Sequence, residues 1–357
     1  VKLKVEKLAY VPLSRKIAVP ILAVVIALLI MGMFLWINLK SFSDVLTAYK
    51  EMFTWPFSPQ MGFFDTLAKM VPLLLIALGL SVVFRMRVWN IGAEGQLYLG
   101  AMLTTWGALY WLNDSVNPWL AVPVLLIIGS AGGALWAIIP ALLKAYLNLN
   151  EIVATLMLNY VAYHWVNYLI YGPWRDPKGY NFPVTSLFPR TTWLPKIGDL
   201  DIHYGLVIAL VITVAIYLLC YRTRWGFRVK IIGDNPIAAE YAGIDIRASI
   251  VAAFAISGAL SGLAGSVQML GIQHRLLHGF SPGYGYTAII VAWLARLNPW
   301  AVVLVSFLFG GLLVGGEQLQ IVLRLPVSMI YILQGIVLFT LLAFETVARY
   351  RIQFAKD

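Results

Sequence analysis

Residues 89–101 read Trp-Asn-Ile-Gly-Ala-Glu-Gly-Gln-Leu-Tyr-Leu-Gly-Ala, a polar, glycine-broken patch carrying Glu94 at the head of a long apolar segment. Ionisable side chains at membrane depth are expensive; they face the protein interior and mark solute pathways or proton relays. Asn90 and Glu94 stand four residues apart, so they are expected on one helical face, with Gln96 projecting elsewhere. Gly92 and Gly95 are expected to break the helix. Two readings of Glu94 follow. It pairs with Arg85 or Arg87 and holds a turn, or it lines a pathway at a broken helix end.

The rest of the chain explains why such a patch matters. Of 357 residues 61% are hydrophobic and 12% charged, which places the chain among polytopic membrane proteins. The net charge of +10 is not a nucleic-acid signal. No basic groove with interleaved aromatics is visible, and basic residues gather at helix ends instead. The single cysteine, Cys220, excludes an intrachain disulfide and a cysteine metal cluster.

Ten apolar segments are read as membrane spans, with approximate limits 17–38, 63–84, 94–112, 119–143, 152–171, 204–221, 249–270, 284–297, 300–318 and 327–346. The first is too long for a signal-peptide core and is expected to be retained. With both ends in the cytoplasm, most basic residues fall inside. They are Lys2, Lys4, Lys7, Arg15 and Lys16, then Arg85 and Arg87, Lys144, Arg222, Arg224, Arg228, Lys230 and Arg247, Arg296, and finally Arg349, Arg351 and Lys356. Residues 1–16 are then a cytoplasmic arm, 17–347 the transmembrane domain and 348–357 a cytoplasmic tail.

Two loops are long. The outer one, 172–203, is rich in proline and aromatics and reads either as an ordered docking surface or as a linker between halves. The inner one, 222–248, contains Asp234, Asn235, Pro236, Ile237, Ala238, Ala239, Glu240, Tyr241 and Gly243. Asn235 suits an N-cap, Pro236 the first helical position and Gly243 the stop. Such a short capped helix fits a soluble partner better than a lipid surface, for which it has too few bulky apolar residues.

Further polar signals lie within the spans. Thr155, Asn159, Tyr163 and Asn167 form a stripe at spacing four, which either bonds between helices or lines a pathway. Ser281-Pro-Gly-Tyr284-Gly-Tyr286-Thr opens the short eighth span, again polar and glycine-broken. Glycine-interrupted segments at corresponding places in two halves point to a transport site. An arrangement of two inverted five-helix halves follows, since an odd number of spans per half inverts the second. Gly129/Gly133, Gly258/Gly262 and Gly311/Gly315 are small-residue pairs suited to close helix packing. No phosphate loop, zinc-protease helix or nucleophile elbow is present, and no metal site is expected.

Three stretches resemble the permease subunits of prokaryotic nucleoside ABC importers, within the wider branched-chain amino acid, ribose and simple-sugar permease family. They are Asn90-Ile-Gly-Ala-Glu-Gly-Gln96, Asn150-Glu-Ile-Val-Ala-Thr-Leu-Met-Leu-Asn-Tyr160 and Gly172-Pro-Trp-Arg-Asp-Pro-Lys-Gly-Tyr180. Asp234 to Ile244 is similar to that family's cytoplasmic coupling segment, and Gly283 to Ile289 with Arg296-Leu-Asn-Pro299 to its late membrane motif. The resemblance implies an all-α, type II-like importer permease with ten spans in the plasma membrane, contributing half of a pathway for nucleosides. It implies a second, non-identical permease, two ATPases that bind the ATP and grip the coupling helix, and an extracytoplasmic substrate-binding protein. The chain itself would carry no cofactor and contact only these partners and membrane lipid. Asn90, Glu94, Gln96, Thr155, Asn159, Tyr163, Tyr284 and Tyr286 are the expected pathway residues. Riboflavin or simple sugars are alternative cargoes, and an autonomous secondary transporter using Glu94 is the competing class.

Overall fold

A computed structural model describes residues 2–7, 13–59, 62–112, 116–198 and 200–355. In chain order the elements are β1 (Lys2–Lys7), α1 (Leu13–Leu39), α2 (Phe42–Thr54), α3 (Gly62–Phe84), α4 (Ala93–Trp106), α5 (Pro118–Leu147), α6 (Glu151–Tyr171) and α7 (Gly205–Arg222). There follow α8 (Arg224–Asp234), α9 (Pro236–Tyr241), α10 (Ile246–Gln268), α11 (Tyr284–Leu294), α12 (Pro299–Leu323), α13 (Val327–Arg349) and β2 (Tyr350–Ala355). Single π-helical turns extend α4 over Gly107–Trp111 and α10 over Met269–Gln273.

Every apolar segment expected from the sequence coincides with one of these helices. Among the described residues, 6 helices are long and apolar enough to cross a membrane: α1, α3, α5, α7, α10 with its π turn, and α12. The amphipathic α2 and the basic α8 were not anticipated. The ribbon of β1 against β2 is a further addition. It pairs Lys2 with Ala355 and Lys7 with Tyr350 in antiparallel register, joining the expected arm and tail. The alternation of apolar and polar residues in both segments suits that pairing.

The chain forms two compact units. The first contains the described residues up to Phe63 and from Gly311 onward. Its core is Met31 and Leu35 of α1, Val45, Ala48 and Met52 of α2, Leu319, Leu325 and Leu333. Positions 45, 48 and 52 share one face of α2, and Ser41 caps that helix by accepting from the Asp44 N–H. The Tyr49 hydroxyl donates to the Leu28 carbonyl in the space left by Gly32.

The second unit, Phe64–Gly310, holds all the polar membrane signals. Most of α3 is buried, as its all-round apolar sequence requires. Around it, α4, α5 and α10 pack through glycines. A Cβ on Gly133 would lie 2.1 Å from the Gly258 carbonyl oxygen, and one on Gly262 2.3 Å from that of Gly129. A Cβ on Gly100 of α4 would lie 2.3 Å from the Gly262 Cα. Two of the three small-residue pairs noted in the sequence, Gly129/Gly133 and Gly258/Gly262, are thus the two sides of one interface, where backbones touch. A buried hydrogen bond of 2.7 Å between the Thr104 and Ser266 hydroxyls joins α4 to α10 across it.

Candidate functional site

Between Phe84 and Ala93 the chain is not helical, yet Met86, Val88, Asn90 and Gly92 are buried there. Irregular backbone inside a membrane protein must find its hydrogen bonds within the protein. Here α6 supplies them from one stripe. The Glu151 carboxylate accepts from the Trp89 N–H at 3.4 Å, and the Thr155 hydroxyl accepts from the Ile91 N–H at 3.2 Å. The Asn159 amide accepts from the Gly95 N–H at 2.8 Å and donates to the Ile91 carbonyl at 2.8 Å. Spacing four puts these side chains one turn apart, along the line that the irregular segment follows. Lys144 holds Glu151 in place through a 3.0 Å ion pair. Bonding between elements, one of the two readings of the stripe, is what the geometry displays.

Asn90 is not on a helical face shared with Glu94, because α4 starts only at Ala93 with Gly92 as its cap. Its side chain turns back instead. It accepts from the Gly92 N–H at 3.0 Å, exchanges two hydrogen bonds with the Gln96 amide at 3.0 and 3.1 Å, and donates to the Ser257 hydroxyl at 3.0 Å. Gln96 therefore meets Asn90 rather than projecting elsewhere. Gly95 does not break the helix. It lies inside α4, and a Cβ there would come within 2.8 Å of the Asn159 Oδ1. Only the sequence expectation for Gly92 holds, at the cap.

Glu94 makes neither of the expected arginine pairs. Its Oε2 accepts from the Gly285 N–H at 2.6 Å, in the first turn of α11. A Cβ on Gly285 would sit 2.4 Å from the Glu94 nitrogen, so the two helix starts are in backbone contact. Both N-termini carry partial positive charge, and a carboxylate between them is favourable to each. Arg85 is occupied elsewhere, donating to the Leu297 carbonyl at 2.8 Å. With 11 residues, α11 is about 17 Å long, roughly half the hydrocarbon thickness. The Ser281 hydroxyl caps it, accepting from the N–H groups of Gly283 and Tyr284 at 3.2 Å.

Beside this junction opens a cleft of about 340 Å³, lined by Glu94, Tyr98, Asn159, Tyr160, Tyr163, Ser281, Gly283 and Tyr286. That volume lies at the lower end of small-molecule sites, about 300–1,000 Å³. The Asn159 amide donates to the Tyr286 hydroxyl at 3.2 Å. Tyr98 meets Tyr163 edge-on with ring centroids 5.6 Å apart. The cleft offers a carboxylate, an amide and hydroxyls between flat aromatic faces, a combination that suits a polar solute with a ring.

Of the eight expected pathway residues, Glu94, Asn159, Tyr163 and Tyr286 line the cleft. Asn90, Gln96 and Thr155 are buried behind it as structural ties, and Tyr284 is buried in the start of α11. The lining also includes Ser281 and Gly283, from the glycine-broken stretch noted in the sequence, and two residues not among the expected ones, Tyr98 and Tyr160. Tyr98 follows Glu94 by one helical turn, which is the signal in the sequence that places it on the same face.

The inner loop folds as anticipated around α9. The Asn235 side chain caps it, accepting from the Ala238 N–H at 3.1 Å, Pro236 is its first residue, and Gly243 follows with φ +70°. Asp234 closes the preceding α8. Ile237, Glu240 and Tyr241 are exposed, Tyr241 to 91%, while Ala239 is buried. The outer loop is ordered against the segment after α10. Leu194, Phe188 and Thr185 donate backbone N–H groups to the carbonyls of Leu270, His274 and Leu276 at 2.8–2.9 Å. His274 and His278 hold no metal cluster among the described residues. His274 stacks on Trp193 and His278 bonds Asn167.

Comparison with known proteins matches residues 62–342 to the family described as branched-chain amino acid transport system / permease component. A glucose ABC transporter permease of Haloferax volcanii is 34% identical over 100% of this chain and 95% of its own length. A guanosine ABC transporter permease of Bacillus subtilis is 30% identical, covering 90% of this chain and 91% of the relative. A nucleoside ABC transporter permease of Lactococcus lactis is 29% identical over 85% and 84%. No solved structure matches.

Proposed function

The chain belongs to the permease-component family of branched-chain amino acid type transport systems, and from that premise we propose that it forms half of the pathway of an ATP-driven nucleoside importer. It is a multi-pass membrane transport subunit, not an enzyme. The observation that carries the cargo reading is the tyrosine-walled cleft at the Glu94–Gly285 junction. A nucleobase can stack on the rings of Tyr98, Tyr163 or Tyr286, while ribose hydroxyls bond Glu94, Asn159 and Ser281. Full-length similarity to guanosine and nucleoside permeases supports the same cargo.

Ten crossings, in two inverted halves of five, accommodate all the membrane helices. The meeting of the α4 and α11 starts supports the inversion, since each is the glycine-broken element of its half. Both termini lie in the cytoplasm, a reading supported by the β1–β2 pairing and by the basic residues. There α9 offers Ile237, Glu240 and Tyr241 to an ATPase, which binds the nucleotide. A second permease, a second ATPase and an extracytoplasmic binding protein complete the assembly.

A second reading, import of glucose, is favoured by the Haloferax relative, which matches over the whole chain. Pyranose hydroxyls would use the same carboxylate and amide. Uptake of labelled guanosine by the reconstituted assembly, with glucose and guanosine as competitors, separates the two. Asn235→Ala or Glu240→Ala is expected to leave the fold intact and to disconnect ATP hydrolysis from uptake. Normal uptake in both variants would refute the role given to α9.

A further inference from the structure

A second cleft, of about 570 Å³, lies away from the tyrosine site, where the ends of α3, α7 and α11 meet α8. Its lining carries four cations, Arg85, Arg87, Lys230 and Arg296, against one carboxylate, Asp234. Among the described residues none of these four cations forms a salt bridge. Arg87, Lys230 and Arg296 are exposed, and this concentration of positive charge in one concavity attracts anions.

Two further donors point to the kind of anion. The Nε of Arg85 and the Nε1 of Trp293 are both buried without an acceptor. The remainder of the Arg85 guanidinium is fixed, with one nitrogen donating to the Leu297 carbonyl at 2.8 Å and the carbon 4.5 Å above the Tyr221 ring. Both orphan donors lie on residues that line the cleft. A phosphate group has several acceptor oxygens and matches guanidinium forks, so it suits a cleft lined by three arginines and a lysine. Part of the lining is apolar. Phe84 and Trp293 stack with centroids 5.9 Å apart, and a compact ion alone would leave that surface unused.

We propose that this cleft is a binding site for a phosphate group, carried by an anionic phospholipid headgroup or present as free phosphate. In the topology proposed above the site faces the cytoplasmic leaflet, where anionic headgroups are attracted by about 1 kcal/mol per nearby cation. The leaflet rests on that topology; the phosphate chemistry rests on the lining. The cleft reaches Asp234, the residue before the cap of α9, so its occupant would buttress the segment that leads to the ATPase contact.

The test uses the assembled importer, delipidated in detergent, with binding of phosphatidylglycerol and phosphatidylcholine measured in parallel and inorganic phosphate added as competitor. The expected result is preference for phosphatidylglycerol, weakened about fivefold by Lys230→Gln and by Arg87→Gln singly, the equivalent of about 1 kcal/mol for each cation. Displacement by inorganic phosphate supports a site that accepts the free ion as well. Preference without displacement supports the lipid source. Equal binding of the two lipids with no effect of phosphate would overturn the proposal. So would unchanged preference in Lys230→Gln, whose exposed position on α8 leaves the fold undisturbed. Nucleoside uptake is measured after the same preparations are reconstituted into proteoliposomes. Uptake with no lipid preference removes this site alone, and lipid preference without uptake removes the transport reading alone.

Discussion

The Glu94 carboxylate and the Gly285 backbone N–H meet at 2.6 Å, and they join two helix starts that lie 191 residues apart in the chain. Position 285 is a glycine because the backbone of the α4 start presses against it, whereas Gly95 of α4 lies against Asn159 of α6. Each would have unsatisfied N–H groups without help, since the first turn of a helix has no internal acceptors. The Glu94 carboxylate, on the first turn of α4, answers this for α11 by accepting from Gly285, while Asn159 of α6 accepts from the Gly95 N–H of α4. The tyrosine cleft is built on that junction, so the geometry available to cargo depends on it.

Removing the acceptor tests the junction. Glu94→Ala should lower stability by about 2 kcal/mol, the penalty for a buried N–H left without a partner, whereas Glu94→Gln keeps an oxygen and should lose about half as much. Thermal unfolding in detergent measures the difference. Equal losses would mean that the bond to Gly285 is not what Glu94 provides.

The α6 stripe should show a ranking. Asn159→Ala strands both the Gly95 N–H and the Ile91 carbonyl, and Thr155→Val strands only the Ile91 N–H. Losses of about 3 and about 1 kcal/mol follow from one orphaned group costing about 1–3 kcal/mol. Amide exchange at residues 91 and 95 should accelerate in the corresponding variant. No acceleration would show that α6 does not hold this segment.

Helix contact through glycine is equally specific. Gly262→Ala places a methyl 2.3 Å from the Gly129 carbonyl oxygen, and relief requires α5 and α10 to separate. A loss of about 2 kcal/mol or more is expected. Gly335→Ala, inside α13, meets nothing within 4 Å and should stabilise by up to about 1 kcal/mol through helix propensity. The relevant measurement is the midpoint of unfolding for both variants side by side.

The outer cap should be acid-sensitive. His203, outside the spans, accepts from the Gly205 N–H at its Nδ1 at 3.1 Å, so its proton sits on Nε2, which is buried without an acceptor. Burial, reinforced by nearby His274, lowers its pKa from 6.5 to about 4. The folded state therefore favours the neutral ring. The stability it contributes is complete above pH 6.5 and is lost as pH falls toward 4. Between pH 7 and pH 5 the loss is about 2 kcal/mol. His203→Gln should flatten that dependence; an unchanged profile would assign the acid sensitivity to another group.

Helix placement was legible because apolar length is a strong signal and the chain has many such segments. The amphipathic α2 was harder, since three buried residues in a short polar helix resemble a linker. Around Glu94 the contacts differ from those that spacing alone implies. Spacing assumes a continuous helix, and the chain is irregular up to Gly92, so Asn90 could not share a face with Glu94. Gly95 resembled a breaker because sequence does not reveal that Asn159 lies against it. The partner of Glu94 was illegible for a similar reason: a backbone N–H carries no residue-type signature, whereas Arg85 and Arg87 advertise a charge.

The most direct test of the central claim is guanosine uptake into proteoliposomes containing this chain with its second permease and both ATPases, supplied with the binding protein, with and without ATP inside the cytoplasmic-facing compartment. The account predicts ATP-dependent accumulation that falls when Tyr98 or Tyr286 is replaced by alanine. Equal, ATP-independent uptake by this chain alone would contradict it.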